Sequence, residues 1–184
     1  MSRWYRPDHM IIEDVADPCP YGAQTAADFI RNHHQEFTLP GRSANVETVT
    51  TGIQLLRSSS LFSGAPYAYA AQAPPGSRVL FLAGACPLDT EGNTVGPGNY
   101  VLQAQTALDN MELALAAAAA SITNVIFTRV LVATSDRDDL RSVWTVVAER
   151  FGDHDVPSTL VGVAVLGYRD QLVEIEAVAA LSDA

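Results

Sequence analysis

The chain has 184 residues, a formal net charge of −10 and 48% hydrophobic residues, which is typical of one globular domain that can bury a core. All eleven basic residues are arginine, so a Schiff-base, pyridoxal-phosphate or Walker lysine is excluded. The acidic balance argues against a nucleic-acid partner, because binding to a phosphate backbone needs clustered positive charge. The longest apolar stretch is far shorter than the ~20 residues that cross a bilayer, so we expect no membrane segment.

The two cysteines and the histidines point to no metal or disulfide chemistry. Cys19 and Cys86 lack the CxxC spacing, and no secretory signal precedes them, so we expect two free thiols and a cytoplasmic location. His33 and His34 are adjacent on a predicted helix and therefore point in different directions, unlike the i, i+4 pair that binds a metal. We expect no metal site.

Residues 1–57 are predicted to form an N-terminal extension, because prolines and glycines interrupt every long periodic pattern there. Within it, Thr25–Asp28 is similar to a capping box and predicts a short helix that continues to about Phe37. The pattern from Thr48 to Leu56 fits a strand and a helix equally well. Because the extension is rich in large apolar side chains, we expect it to pack, with a neighbouring subunit as one option.

A regular pattern begins at about residue 58. Two predicted strands, Tyr67–Ala73 and Arg78–Gly84, are joined by an Ala-Pro-Pro-Gly turn and together predict a hairpin. The run Tyr100–Ser121 is rich in strong helix formers and contains no Gly or Pro, so it predicts a long helix. The β-branched segment Asn124–Ala133 predicts another strand.

A second helix is predicted after the N-cap cluster Ser135–Asp138. Its apolar residues recur at helical spacing and predict one buried stripe, made of Leu140, Val143, Trp144, Val147 and Phe151. Two more strands, Thr159–Leu166 and Gln171–Ala180, are predicted around a Gly-Tyr-Arg-Asp turn. The order β-β-α-β-α-β-β predicts a two-layer α+β sandwich, a mixed sheet with both helices on one face. Because the predicted strands are apolar on both sides, we expect self-association to bury the second face.

Four segments in this order resemble the RidA (YjgF) family, also called endoribonuclease L-PSP. They are Ala65–Ala70, Val79–Asp89, Gln105–Asn110 and Leu172–Ala179. The likeness spans about residues 58 to 182, so we assign residues 58–184 to a RidA-like domain. The resemblance implies chorismate-mutase-like protomers in a homotrimer, with small-molecule pockets at the subunit interfaces. It also implies hydrolysis of reactive enamines or imines to ketones and ammonia, without a metal or an organic cofactor.

The resemblance assigns the central role to Glu174, which matches the ligand-facing first glutamate of the family's Glu-Ile-Glu. A glutamate among apolar strand residues is costly to bury unless it is paired, and such a carboxyl group suits a general acid/base. The alternative is that Glu174 and Glu176 lie on the solvated face of an edge strand, since residues two apart share a face.

The resemblance implies a pocket arginine two residues after the proline that opens the penultimate strand. Here that proline is Pro157 and the matching position is Thr159, so this chain resembles a divergent member. A threonine hydroxyl carries no charge and cannot bind a carboxylate in a bidentate manner. Arg129 is the candidate for the missing cation, with a structural ion pair as the alternative. The other predicted substrate-binding residues are Tyr67, Tyr69 and Gly84.

Two further residues, His154 and Cys86, lie near the predicted pocket in the sequence. His154, between two aspartates, is a candidate acid or base at the rim, with an exposed loop as the alternative. Cys86 is interpreted as structural, because nothing near it in sequence would activate a thiolate.

The leading hypothesis is a divergent RidA-like enzyme that hydrolyses an imine or enamine of a small reactive metabolite in a dedicated pathway. The alternative is a non-catalytic trimer of the same fold that binds a small molecule or a partner. The ribonuclease activity in the family's name is disfavoured by the net charge of −10.

Overall fold

The computed structural model describes residues 52–182. Cys19, the predicted short helix with its two histidines, and most of the predicted N-terminal extension lie outside the described residues. The described part contains β1 (Gln54–Leu56), β2 (Ala70–Gln72), β3 (Arg78–Phe81), α1 (Tyr100–Ala117), β4 (Val125–Ala133), α2 (Arg137–Phe151), β5 (Ser158–Val163) and β6 (Val173–Leu181). A short 3₁₀ turn, Ile122–Asn124, leads into β4.

A four-stranded mixed sheet with the strand order β3-β6-β4-β5 forms the centre of this domain. β6 is antiparallel to both of its neighbours, whereas β4 and β5 are parallel. A parallel pair needs a crossover connection, and α2 provides it. The mixed α+β sheet predicted from the sequence is confirmed. β1 and β2 form a separate antiparallel ladder.

The predicted hairpin between Tyr67–Ala73 and Arg78–Gly84 is wrong. β2 pairs with β1, and β3 pairs with β6. The Ala-Pro-Pro-Gly segment does turn the chain, since the Ser77 N–H donates to the Pro74 carbonyl at 3.2 Å, but the strands on either side do not pair. The last two strands are not a hairpin either, because β4 lies between β5 and β6.

Both helices begin at side-chain caps and end at left-handed or otherwise positive-φ residues. The Asn99 side chain accepts from the Leu102 N–H at 3.0 Å and starts α1, and Asp136 does the same for α2. α1 ends at Ala117, four residues before its predicted end, because Ala119 has a φ of 56°. In α2, the predicted stripe is confirmed: Val143, Val147 and Phe151 are buried, and its other two members pack against the core.

The two faces of the sheet have different surroundings. On one face, alternate residues such as Val130 and Ile175 are fully buried with Leu108 and Met111 of α1. The other face, which we call the open face, carries Val79 and Phe81 of β3, Glu174 and Glu176 of β6, Arg129 and Leu131 of β4, and Thr159 and Val161 of β5. Phe81 is 77% exposed there and Val79 is 53% exposed. No helix in the described part of the chain is long and apolar enough to cross a membrane.

Candidate functional site

The carboxylate of Glu174 lies directly over Gly84. The loop after β3 joins β6 through Ala85 and Ile175, whose backbone groups exchange hydrogen bonds of 2.8 and 3.1 Å. This pairing places Gly84 so close to β6 that a Cβ on it would lie 1.9 Å from the Glu174 Oε1 atom. Two predicted site residues are therefore in contact, and only glycine leaves room for the carboxylate.

Two further polar groups hold this carboxylate. The Gln171 Nε2 atom donates to Glu174 Oε2 at 3.1 Å, and the Cys86 Sγ atom lies 3.6 Å from the same oxygen. Burial, and then the charge of Glu174, raise the pKa of the Cys86 thiol. Cys86 therefore stays protonated near neutral pH and donates its S–H rather than acting as a thiolate. We call Glu174, Gln171, Cys86 and Gly84 the carboxylate cluster.

The carboxylate cluster adjoins a groove of about 560 Å³, which lies between the loop after β3 and α1. Gly84 and Cys86 line it. Asn110 fixes the loop, because its Nδ2 atom donates to the carbonyls of Cys86 and Leu88 at 2.8 and 2.9 Å. The volume falls in the range of roughly 300–1,000 Å³ that is typical of small-molecule pockets. The remaining groove wall includes Leu82, Asp89, Thr90, Met111 and Tyr168.

Arg129 and Thr159 are cross-strand neighbours on the open face. The Arg129 Nη1 atom donates to the Glu176 Oε2 atom at 2.8 Å, so the ion pair that the sequence left as an alternative is present. The pair is 48% and 37% exposed, and no second partner of the guanidinium is found among residues 52–182. Most of its N–H donors thus remain available on the face that also carries Glu174.

The two predicted tyrosines form a different cluster. The Tyr67 ring packs edge-to-face against the rings of Tyr69 and Trp144, at centroid distances of 6.1 and 6.2 Å. The Arg57 guanidinium holds this segment, because it donates to the Tyr67 carbonyl at 3.1 Å and pairs with Asp155. We call Tyr67, Tyr69 and Trp144 the aromatic cluster. The Tyr67 ring thus contacts the aromatic cluster, whereas the Glu174 carboxylate contacts the carboxylate cluster.

Sequence reasoning missed Gln171 and interpreted Cys86 only as structural. No local pattern marks either residue: the Ala85–Ile175 pairing brings Cys86 to Glu174, and Gln171 reaches Glu174 from the turn before β6. The ring of His154 bonds to the Val125 carbonyl through Nε2 at 2.8 Å, which anchors the loop before β5. Over residues 52–182, no group of three or more metal-ligating side chains is found.

Comparisons with known proteins agree with this fold. Residues 59–181 match the family described as Endoribonuclease L-PSP. A RutC family protein from Pyrococcus horikoshii is 34% identical over 114 residues, which are 62% of this chain and 86% of that protein. A protein of the conserved Rid family from Yersinia pestis has a TM-score of 0.64 at 24% identity, over 71% of this chain and 99% of that one, and supports the fold alone. The crystal structure of TdcF from E. coli with bound serine has a TM-score of 0.50 at 28% identity, over 64% of this chain and 90% of that one.

The four segments identified in the sequence all fall within the matched residues, and the mixed sheet with two helices is the fold of the matched structures. The identities of 24–34% make this a divergent member. The chain belongs to the RidA (YjgF) family, also called endoribonuclease L-PSP.

Proposed function

We propose that this chain is a hydrolase that converts a small imine or enamine to a ketone and ammonia, with Glu174 as the general acid/base. The observation that carries the proposal is the arrangement of the Glu174 carboxylate. Its Oε2 atom accepts from Gln171 at 3.1 Å, while its Oε1 atom lies over Gly84 beside the groove. A carboxylate that is held through one oxygen has the other available for proton transfer.

The proposed reaction needs only water and this carboxylate. Glu174 passes a water proton to the imine nitrogen while the water oxygen bonds to the imine carbon, which gives a carbinolamine. Glu174 then takes the hydroxyl proton and delivers it to the nitrogen as the C–N bond breaks. The products are a ketone and ammonia. An enamine enters the same sequence after a proton moves from its nitrogen to its carbon.

Arg129 is our proposed binding group for an anionic part of the substrate. It lies on the same face as Glu174 and uses a single N–H in its 2.8 Å bond to Glu176. Thr159, its neighbour in register, offers a hydroxyl but no charge. The relative TdcF, crystallised with bound serine, supports a ligand of amino-acid size.

We also propose that the chain assembles as a homotrimer and that its small-molecule sites are completed between subunits. Val79 and Phe81 expose apolar surface on the open face, and such surface in a folded protein marks an interaction site. A site shared between subunits would bring Tyr67 and Tyr69 of one protomer near Glu174 of another. Such a site would combine the aromatic cluster of one chain with the carboxylate cluster of another.

The test is turnover of imines generated in situ by an amino-acid oxidase, in competition with trapping by semicarbazide. We expect the wild type to reduce the trapped fraction and Glu174→Gln to lower kcat/KM by about 100-fold or more. Glu149→Gln makes the same chemical change on the exposed side of α2 and should retain full activity. If the wild type accelerates the loss of no amino-acid-derived imine, the hydrolase proposal is wrong and a non-catalytic binding trimer takes its place.

A further inference from the structure

Gln171 is a buried polar side chain, 4% exposed, three residues before Glu174. Its Oε1 atom accepts from the Tyr168 N–H at 2.9 Å. Its Nε2 atom lies 3.1 Å from Glu174 Oε2, 3.2 Å from Cys86 Sγ and 3.2 Å from the Val173 carbonyl. The Gln171 amide thus links the turn before β6 to Glu174 and Cys86 of the carboxylate cluster.

The backbone on both sides of Gln171 is fixed by a second buried glutamine, Gln103 of α1. The Gln103 Nε2 atom donates to the Asp170 carbonyl at 2.9 Å, and its Oε1 atom accepts from the Leu172 N–H at 2.7 Å. Gln103 is fully buried, so solvent does not compete for these bonds. Because both neighbours are tied to α1, the Gln171 side chain leaves the backbone in one direction, toward Glu174.

We infer that Gln171 is a positioning residue, which holds the Oε2 atom of Glu174 and thereby keeps Oε1 over Gly84. A donor on an already fixed backbone orients a reacting carboxylate without reorganisation during the reaction. The catalytic consequence of this inference rests on the proposed function. That Gln171 sets the orientation of the Glu174 carboxylate does not depend on the proposed function.

The orientation of the Glu174 carboxylate is tested by the reactivity of Cys86 in a Cys19→Ser background, where Cys86 is the sole thiol. The thiolate is the species that iodoacetamide alkylates. Because burial and then the Glu174 charge raise the pKa of Cys86, removing that charge in Glu174→Gln should speed alkylation near pH 8, by on the order of threefold or more. Gln171→Met has a similar length but no N–H donor. In the Gln171→Met variant we expect the Glu174 carboxylate to move away from Cys86. Adding Glu174→Gln to this variant should then change the rate of Cys86 alkylation by less than about twofold. Equal acceleration in both backgrounds would overturn the inference.

The catalytic consequence is tested by the split between kcat and KM. We expect Gln171→Met and Gln171→Glu to lower kcat on the order of tenfold, with KM within about twofold of the wild type. Gln171→Glu keeps the acceptor for the Tyr168 N–H and so retains the turn. The control is Thr94→Val, which removes the 2.7 Å bond from the Thr94 hydroxyl to the Arg169 carbonyl in the same loop and should leave kcat unchanged.

The two proposals fail in different ways. A wild type without imine turnover contradicts the proposed function, and the alkylation experiment then still decides whether Gln171 orients Glu174. An active wild type whose kcat is unaffected by Gln171→Met contradicts the positioning role alone.

Discussion

Gly84→Ala tests whether Glu174 must lie where the structure places it. The added Cβ would stand 1.9 Å from Oε1, 2.6 Å from Cδ and 2.9 Å from Cγ of Glu174, whereas ordinary contact begins at 3.4 Å. The carboxylate must therefore move by about 1.5 Å. Because a displacement of about 1 Å at a catalytic centre can cost on the order of 100-fold, we expect kcat/KM in the imine assay to fall by at least that factor.

The fold should survive this substitution. All three close contacts are to a flexible side chain rather than to backbone, and Gly→Ala reduces the entropy of the unfolded chain by about 0.4–1 kcal/mol. We therefore expect the free energy of unfolding in urea to change by less than about 1 kcal/mol. Gly167→Ala is the matched control, because its added Cβ has nothing within 4 Å. Wild-type kcat/KM in Gly84→Ala, together with an inactive Glu174→Gln, would refute the reasoning.

Three further substitutions test the assembly, the helix pair and the loop after β3. Phe81→Asp, at a position that is 77% exposed, should convert the proposed trimer to a folded monomer in sedimentation equilibrium, and a persisting trimer would exclude this face as the interface. Arg150→Met removes bonds of 2.8 and 2.9 Å from α2 to Asp109 and Glu112 of α1, and should lower the free energy of unfolding by about 0.5–1 kcal/mol. That loss should shrink at high salt, and a loss independent of salt would contradict an ionic origin. Hydrogen bonds, chiefly from the Asn93 N–H, hold the pKa of Asp89 below its ordinary value, so its stabilising effect is present at neutral pH and disappears as the pH falls through the lowered pKa. Asp89→Asn should accordingly lower the Tm at neutral pH but not near pH 2, and an equal difference at both pH values would contradict this assignment.

Local sequence signals predict the helices and the inner strands closely. α1 begins at the predicted Tyr100 because Asn99 is a strong N-cap, and β4 begins within one residue of its predicted start. The end of α1 was not predictable from composition, since the alanines after residue 117 are all good helix formers. The helix ends there because the Ala118 and Ala120 N–H groups both bond back to the Leu115 carbonyl while Ala119 is left-handed.

Strand pairing was not predictable in the same way. A Pro-Pro-Gly signal indicates a change of direction, and it carries no information about which strand the chain meets afterwards. β3 finds its partner in β6, where Arg78 is opposite Leu181, far beyond any window used to interpret a turn. The hairpin prediction failed because β3 pairs with the central strand β6 at the edge of the sheet, where Leu80 packs against the core.

The pairing of β6 also explains which site residues the sequence could identify. Family motifs point to Glu174 and Gly84, and Arg129 is a candidate only because a cation is missing. β6 brings the three together, through the Ala85–Ile175 bridge on one side and the Arg129–Glu176 register on the other. Gln171 has no motif, and its importance arises from its bond to Glu174 and from the backbone that Gln103 of α1 fixes on both sides of it.

A shift of β6 by one residue would turn Glu174 into the helix layer, because side chains alternate along a strand. The register of β6 thus determines both the fold and the position of Glu174. A substitution that disturbs β6 pairing would change both, so it cannot distinguish a loss of fold from a loss of the site. Substitutions of Gly84 or of Gln171 can separate the two effects, because they move the Glu174 carboxylate while leaving the strand register intact.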